Sequence, residues 1–205
     1  MKRCWILVMA WICAGQILGA PNKDFPKVDD TSDAEANGNK VIRLAVDVKA
    51  GTNEVWRALS TAEGWRSYAV AFASVDMQVG GIIETSYRAE ARAGDPGNIK
   101  NQIVAYIPGR MLAIRCVQAP ADFEHKDEFF ATATVLEIAP GGDGGSRVML
   151  TAVGYRPGEA YETLFKNFRW GDAYTLDKLR LHFETGNLTT PKDAKEEKEF
   201  NRKTK

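Results

Sequence analysis

The stretch that decides the fold runs from Gly51 to Gly81 and reads GTNEVWRALSTAEGWRSYAVAFASVDMQVGG. A short amphipathic helix over Val55–Ser60 comes first, because its apolar side chains fall on one side at helical spacing. A second turn carries Trp65, and a strand over Ala71–Gln78 follows it. The strand leads into Gly80-Gly81, a dipeptide that suits the tight turn of a β-hairpin. This order predicts a sheet that packs against helices.

Strands dominate the chain on both sides of this stretch. The segment VIRLAVDVK at 41–49 alternates apolar and polar side chains, which predicts a half-buried strand. Turns rich in glycine and proline separate the later apolar runs, and a brief helix is expected at Ala121–Lys126. The later predicted strands are Ile82–Ala91, Ile99–Ile107, Met111–Gln118, Phe129–Ala139 and Arg147–Tyr155. Because short turns join consecutive strands, we expect an antiparallel meander of about six to seven strands.

The C-terminal element has a different period. From Gly158 to Thr185, apolar side chains such as Leu164, Phe168 and Leu179 recur at helical spacing. This predicts one helix of about 25 residues, ended by Gly186, a residue type that commonly follows helices. A long meander curls, and its concave apolar face needs a cover. The expected fold is therefore α+β, a curved antiparallel sheet wrapped around a long C-terminal helix.

Both ends of the chain are predicted to lie outside this domain. Residues 1–20 combine a basic start with the apolar run CWILVMAWICAG, the layout of a secretory signal peptide. We therefore expect a periplasmic or secreted protein with no stable membrane span after cleavage; an uncleaved N-terminal membrane anchor is the alternative. Residues 21–40 lack an apolar period and are predicted to be a flexible linker. The folded domain is expected at 41–190, and a charged, disordered tail at 191–205.

Composition narrows the classes of partner and cofactor. The chain carries 27 basic and 27 acidic side chains, so no basic field is present to recruit nucleic acid. Cys116 is the one cysteine beyond the predicted signal peptide, which excludes an internal disulfide, and its apolar neighbours indicate a buried strand residue. His125 and His182 lie in no metal-ligating spacing, so we expect neither a metal site nor a cofactor.

Several short segments of the chain resemble one superfamily. They are Glu54–Leu59, Gly64-Trp65, Val75–Gly81, and the closing positions Trp170, Leu176–Leu179 and Glu184. In these positions the chain resembles the START-like helix-grip (SRPBCC) superfamily, which includes polyketide cyclases and the pollen-allergen fold. Within it, the chain is similar to the branch named for an activator of a heat-shock-protein ATPase. The matching segments span nearly the whole chain after the predicted signal peptide.

The resemblance implies a cavity between the sheet and the C-terminal helix that holds an apolar or amphipathic small molecule. It implies no shared catalytic set. Aromatic side chains would form the walls, and one or two polar groups would orient the ligand. Ordinary core packing and exposure to solvent are the competing interpretations of these residues. The candidate cavity residues are Trp56, Trp65, Phe72, Glu84, Tyr87, Tyr106, Arg115, Phe165, Phe168 and Asp172.

The function expected from these patterns is that of an exported protein that binds a hydrophobic or amphipathic small molecule. One alternative is a cyclase- or hydrolase-like enzyme that uses polar cavity residues as general acid and base. The other is a protein-interaction module related to the chaperone activator. The sequence shows no nucleophile motif and no catalytic pair of carboxylates, so the catalytic residues of the enzyme alternative are unknown.

Overall fold

The computed structural model describes residues 20–186 of the chain. Its strands are β1 (Ala20–Pro21), β2 (Val28–Asp30), β3 (Asp33–Ala34), β4 (Lys40–Val48), β5 (Phe72–Val75), β6 (Ile82–Ser86), β7 (Ile99–Ile107), β8 (Met111–Gln118), β9 (Ala133–Pro140) and β10 (Ser146–Tyr155). Its α-helices are α1 (Thr52–Ser60), α2 (Ala62–Tyr68), α3 (Lys126–Phe130) and α4 (Glu159–Thr185). The predicted tail, and the predicted signal peptide except Ala20, lie outside the described residues.

All of these strands belong to one curved, open, antiparallel sheet. From edge to edge the order is β1-β2-β4-β10-β9-β8-β7-β6-β5, and β3 pairs with the first residues of β4. Strands β5 to β10 follow one another in space as they do in sequence, which confirms the predicted meander. Strand β4 lies beside the last strand, β10, so the beginning and the end of the strand sequence meet in the middle of the sheet.

The pairing of β4 with β10 gives the sheet its apolar inner face. Val46 lies opposite Val148, and Leu44 lies opposite Leu150. All four side chains are buried, whereas Asp47, the residue after Val46, is exposed. Because successive side chains of a strand point to opposite faces, one face of these strands is apolar and the other is polar.

Helix α4 lies on the inner face. Its 27 residues correspond to a length of about 40 Å. Leu164, Leu176 and Leu179 are buried along one side of the helix and share a single core with Leu44. Burial of each such leucine contributes about 1.5–3 kcal/mol. Gly186 closes the last turn in a left-handed conformation, with φ of 64°, so the predicted helix and its end are confirmed.

Helices α1 and α2 pack against each other at a tight corner. The hydroxyl of Thr61 accepts a hydrogen bond of 3.0 Å from the amide of Gly64 and caps α2. A Cβ atom on Gly64 would lie 2.5 Å from the backbone of Ala58 in α1, so only glycine fits this crossing. The helix predicted at Val55–Ser60 is confirmed.

Three of the predicted strands have different bounds in the structure. The strand predicted at Ala71–Gln78 covers only Phe72–Val75. The strand predicted at Ile82–Ala91 ends at Ser86, because the chain then turns into a loop that packs over the carboxylate of Glu84. The strand predicted at Phe129–Ala139 begins only at Ala133, because its first residues belong to α3. The brief helix therefore lies later in the chain than predicted.

The segment 21–40 is folded, which corrects the predicted flexible linker. Val28 is fully buried, and β2 pairs with β4. The carboxylate of Asp30 accepts a hydrogen bond of 2.7 Å from Arg169 Nε, and Phe25 packs against the core. Two isolated apolar residues produce no period in the sequence, but the free edge of β4 offers this segment backbone hydrogen bonds. Its strands bring the sheet to ten, above the predicted number.

We expect Val28→Ala to lower the free energy of unfolding by about 1–3 kcal/mol, because it removes two carbon atoms from a fully buried site. Chemical denaturation followed by circular dichroism measures the change. Val79→Ala is the matched control: Val79 is 67% exposed, and its truncation should change stability by less than about 0.5 kcal/mol. Equal effects of the two substitutions would contradict the placement of Val28 in the core.

Candidate functional site

One acidic residue lies in the middle of the apolar side of α4. Asp172 is seven residues from both Phe165 and Leu179, and four residues from both Phe168 and Leu176. Residues at these spacings share one side of a helix. Phe165, Leu176 and Leu179 are buried on that side. Asp172 therefore projects from α4 towards the sheet, among apolar neighbours.

The surroundings of Asp172 disfavour its negative charge. Desolvation raises the pKa of Asp172 to about 7. Burial raises the pKa of Tyr155, and the nearby charge of Asp172 raises it further. Desolvation also raises the pKa of Tyr87 to about 12, with smaller contributions from Tyr174 and Asp172. The acid thus lies within electrostatic range of two phenols, from different strands, that stay neutral at physiological pH.

Asp172 keeps some solvent-accessible surface. Asp172 is only half-buried, although desolvation governs its pKa. Tyr87 shows the same combination, with 44% of its surface exposed. A carboxylate in open water keeps an ordinary pKa, and a tightly packed one has no accessible surface. Both side chains therefore keep accessible surface, although the loss of hydration governs their pKa values.

No partner for the Asp172 charge is present among residues 20–186. None of the hydrogen bonds or ion pairs in this part of the chain reaches its carboxylate, and desolvation alone accounts for its raised pKa. Unpaired carboxylates are rare inside proteins because the loss of hydration is costly. Acids with raised pKa values cluster at functional sites, so Asp172 is a candidate site residue.

Two stacked aromatic pairs lie on the side of α1 and α2. The rings of Trp56 and Tyr106 stack with centroids 6.2 Å apart, and those of Trp65 and Tyr68 with centroids 5.7 Å apart. Trp65 Nε1 also donates a hydrogen bond of 2.8 Å to the carbonyl of Leu59, which fixes the orientation of its ring. Trp56, Trp65 and Tyr106 are partly buried against the core. Their role as cavity walls stays a prediction.

A second aromatic group lies where α3 meets α4. The ring centroid of Phe168 is 4.5 Å from that of Phe129 and 6.2 Å from that of Phe123. Phe165 is buried more deeply and meets Tyr155 edge to face, with centroids 5.6 Å apart. Phe165 and Phe168 share one side of α4 with Asp172, so the acid has aromatic neighbours along its own helix.

Glu84 does not join this group, contrary to the prediction. It lies on β6 next to Ile83, whose side chain belongs to the core, so Glu84 points to the other face of the sheet. Its carboxylate accepts hydrogen bonds from the amide of Gly94 at 2.8 Å and the side-chain amide of Asn98 at 2.9 Å. Lys100 Nζ lies 3.9 Å away. Glu84 therefore holds the loop that follows β6.

Arg115 and Phe72 also point away from the inner face, which corrects two further predictions. Arg115 is exposed on β8 between the buried residues Ile114 and Cys116. Phe72 begins β5 beside Ala73, whose side chain lies in the core. Alternation along a strand puts both residues on the opposite face. The period of two identifies the two sets of side chains but does not say which set faces the helix.

The predicted set omits three aromatic residues that the structure places near this site. Tyr155 follows a bulge at Gly154, which has φ of 101°, and a Cβ atom there would lie 2.6 Å from the carbonyl oxygen of Ala131. The sequence signal that could have identified Tyr155 was a glycine directly before an aromatic residue at the end of a strand. Phe123 and Phe129 lie in the connection between β8 and β9, which the sequence pattern assigned to a brief helix and a strand.

Two concave regions of the described chain lie away from Asp172. A groove of about 640 Å³ lies on the outer face of the sheet and includes Arg147 and Met149. Its arginine is neutralised by ion pairs with Asp29 and Asp47. A cleft of about 450 Å³ lies between residues 21–24 and the first half of α4. Asp172 lines neither of them.

The described part of the chain offers little support for metal or thiol chemistry. Within residues 20–186, no group of three or more histidine, cysteine, aspartate or glutamate side chains could hold a metal ion. Desolvation raises the pKa of Cys116 to about 12, so its thiol is a poor nucleophile. In the same range, the helices are all too short or too polar to cross a membrane.

A curved sheet that grips one long C-terminal helix, with aromatic side chains around the contact, defines the helix-grip class of proteins. The model of the family described as "Polyketide cyclase / dehydrase and lipid transport" matches residues 40–184, and the chain belongs to this family. The predicted membership of the START-like helix-grip superfamily is thereby confirmed. None of the curated proteins compared with the chain matches it.

Solved structures support the same fold. The Aha1 dimer from Colwellia psychrerythraea is 16% identical, with a TM-score of 0.54, and the match covers 71% of this chain and 97% of that chain. CalU16 from Micromonospora echinospora is 17% identical, with a TM-score of 0.56 and coverage of 86% and 93%. A conserved protein of unknown function from Enterococcus faecalis, EF2215, is 11% identical, with a TM-score of 0.57 and coverage of 85% of both chains. At these identities the likeness concerns the fold.

We expect Asp172→Asn to stabilise the protein in a pH-dependent way. The folded-state pKa of about 7 lies above the ordinary aspartate pKa of 3.8, so the folded state binds more protons and wild-type stability falls as the pH rises through this window. The variant should equal the wild type near pH 4 and exceed it by up to about 4 kcal/mol above pH 7. Denaturant unfolding from pH 4 to pH 8 measures the difference.

The matched control for this prediction is Glu137→Gln, because the side chain of Glu137 is exposed on β9 and its charge is hydrated. Its effect on stability should be small, within about 0.5 kcal/mol. A stability difference between Asp172→Asn and the wild type that does not change with pH would contradict the desolvated position of Asp172.

Proposed function

We propose that the protein binds an apolar or amphipathic small molecule in a confined space between α4 and the sheet. The observation that carries this proposal is Asp172, an unpaired acid that projects inward from the apolar side of α4 and keeps part of its surface accessible. A solidly packed interior would exclude such a group. A ligand site requires one or a few polar groups among apolar walls, which is the arrangement here.

The aromatic residues support an apolar ligand. Trp56, Trp65 and Tyr106 are only partly buried against the core, as are Phe123 and Phe168. Large side chains that contact the core without being covered offer apolar surface to a small molecule. The family description includes lipid transport, which is consistent with a ligand of this kind.

We propose further that the protein is exported. Support comes from residues 1–20, where a basic start precedes an apolar run of signal-peptide length. To test export, the protein is expressed in its native host with a C-terminal purification tag, and the N-terminus of the purified protein is sequenced. A first residue near Pro21 in the exported fraction is expected, and an intact Met1 in the cytosolic fraction would contradict it.

An enzymatic function is the second candidate, and one observation favours it. Asp172 has a pKa of about 7 and lies near the phenols of Tyr87 and Tyr155. A carboxyl group with such a pKa exchanges a proton readily at neutral pH, as a general acid or base must. Of the polar residues predicted for this role, Glu84 and Arg115 lie elsewhere, so any proton transfer would rest on Asp172 and the tyrosines.

We expect the protein to bind one equivalent of a neutral apolar fluorophore such as N-phenyl-1-naphthylamine, with Phe168→Ala lowering the affinity about tenfold. The phenylalanine lies beside Asp172 on the inner side of α4, so its loss removes apolar contact area. Fluorescence titration measures the affinity, and circular dichroism verifies that the variant is folded.

Val104→Ala is the matched control for this titration. Val104 is 49% exposed, and truncation of its side chain should leave the affinity unchanged. Failure of the wild type to bind the fluorophore in a saturable way would contradict the proposed function. Loss of binding in Val104→Ala with retention in Phe168→Ala would move the site away from the inner face.

A further inference from the structure

The positive charges nearest in sequence and fold to Asp172 are all engaged elsewhere. Lys40 Nζ bonds to the carboxylate of Glu162 at 2.6 Å and lies 5.0 Å from the ring of Phe165. Arg169 bonds to Asp30 at 2.7 Å. These two cations lie on β4 and α4, the elements in closest contact.

The cations in the second half of α4 are likewise engaged. Arg180 bonds to Asp177 at 2.7 Å and to Glu184 at 2.5 Å. Lys178 Nζ lies 5.2 Å from the ring of Tyr174. Within residues 20–186, therefore, no lysine or arginine compensates the acid that projects into the site.

The groups that do face Asp172 are aromatic and neutral. Tyr155 of β10 packs edge to face against Phe165, and both Tyr155 and Tyr87, the residue after β6, lie within electrostatic range of Asp172. Phe165 and Phe168 flank the acid along α4. The face of an aromatic ring carries a partial negative charge and attracts cations. A carboxylate among such rings is complementary to a positive charge that the described residues do not supply.

We propose that the ligand is an amphipathic molecule with one cationic nitrogen, and that the Asp172 carboxylate is its counter-ion inside the site. This inference rests on the proposed function and names the chemical class of the ligand. The apolar part of the molecule contacts the aromatic side chains, and its ammonium group contacts Asp172. Ion pairing inside the site offsets part of the hydration that the carboxylate loses there.

A neutral ligand with hydrogen-bond acceptors is a poorer fit to the same residues. A ligand of that kind would gain nothing from Asp172, because an ionised carboxylate also only accepts hydrogen bonds. An anionic ligand would meet repulsion from Asp172 whenever the acid is ionised. Only a cation is attracted both to the Asp172 carboxylate and to the faces of the aromatic rings around it.

The inference predicts a characteristic dependence of affinity on pH. Alkylamines keep their proton up to about pH 10, so the titrating group of the free site is Asp172, faced by Tyr155 and Tyr87, which are neutral throughout. Amine affinity should rise about tenfold per pH unit below pH 7 and level off near pH 8, as the carboxylate becomes ionised. Affinity for a neutral alcohol should not rise in this range.

The test compares n-octylamine, n-octanol and n-octanoate, which share one chain length, by isothermal titration calorimetry on the full chain. At pH 8 we expect the amine to bind at least about tenfold more tightly than the alcohol, and the carboxylate to bind most weakly. Asp172→Asn should abolish the preference for the amine and its pH dependence. Glu137→Gln, which removes an exposed charge on β9, should keep both.

The outcomes separate this inference from the proposed function. Equal affinities of the three compounds for the wild type would overturn the cationic ligand and leave an apolar binding site intact. A preference for the amine that persists in Asp172→Asn would overturn the role of the acid. Failure of all three compounds and of the neutral fluorophore to bind would overturn the proposed function, and the inference with it.

Discussion

Burial of the apolar side of α4 against β4 and β10 is the contact on which the remaining structure depends. The helix is the last element of the described chain, while β4 is the first long strand, so this contact ties the two ends of the domain together. Leu164, Leu176 and Leu179 share a core with the inner side chains of both strands. Without the helix, the concave face of the sheet would expose a continuous apolar surface to water.

The contact of α4 with β4 and β10 also contains one residue, Asp172, that destabilises it. Asp172 lies in the apolar side of the helix, where an aliphatic residue would pack better and would remove a desolvated acid from the core. Residues that reduce stability in the interior are often those on which activity depends. Along one side of α4, the leucines therefore hold the fold, while Asp172 lies among apolar neighbours at a cost in stability.

Regular periods made most of the fold predictable from the sequence. The helical spacing of Leu164, Phe168 and Leu179 located α4, and alternation located β4. The folded segment around Val28 could not be found in this way, because a strand of three residues is too short to show a period. Such a strand forms only where it can pair with the free edge of a longer strand, here β4. Its stability comes from tertiary contact, which a local pattern does not contain.

The candidate site was predictable in part for a related reason. Helix geometry fixes the direction of each side chain, so Asp172 could be assigned to the inner side together with Phe165 and Phe168. Alternation along a strand defines two faces but does not tell which of them meets the helix, and Glu84 and Arg115 were assigned to the wrong face. Choosing between the faces requires knowing where the helix docks, and that is set by the completed sheet.

The two edges of the sheet have a consequence for behaviour at high concentration. An open sheet presents unpaired backbone groups at each end, and long edges invite other chains to add strands and aggregate. Here the edges are β1 and β5, which have two and four residues. The long strands β4 and β10 are paired with neighbouring strands on both sides. An unclosed sheet of this width can therefore remain dispersed without closing into a barrel.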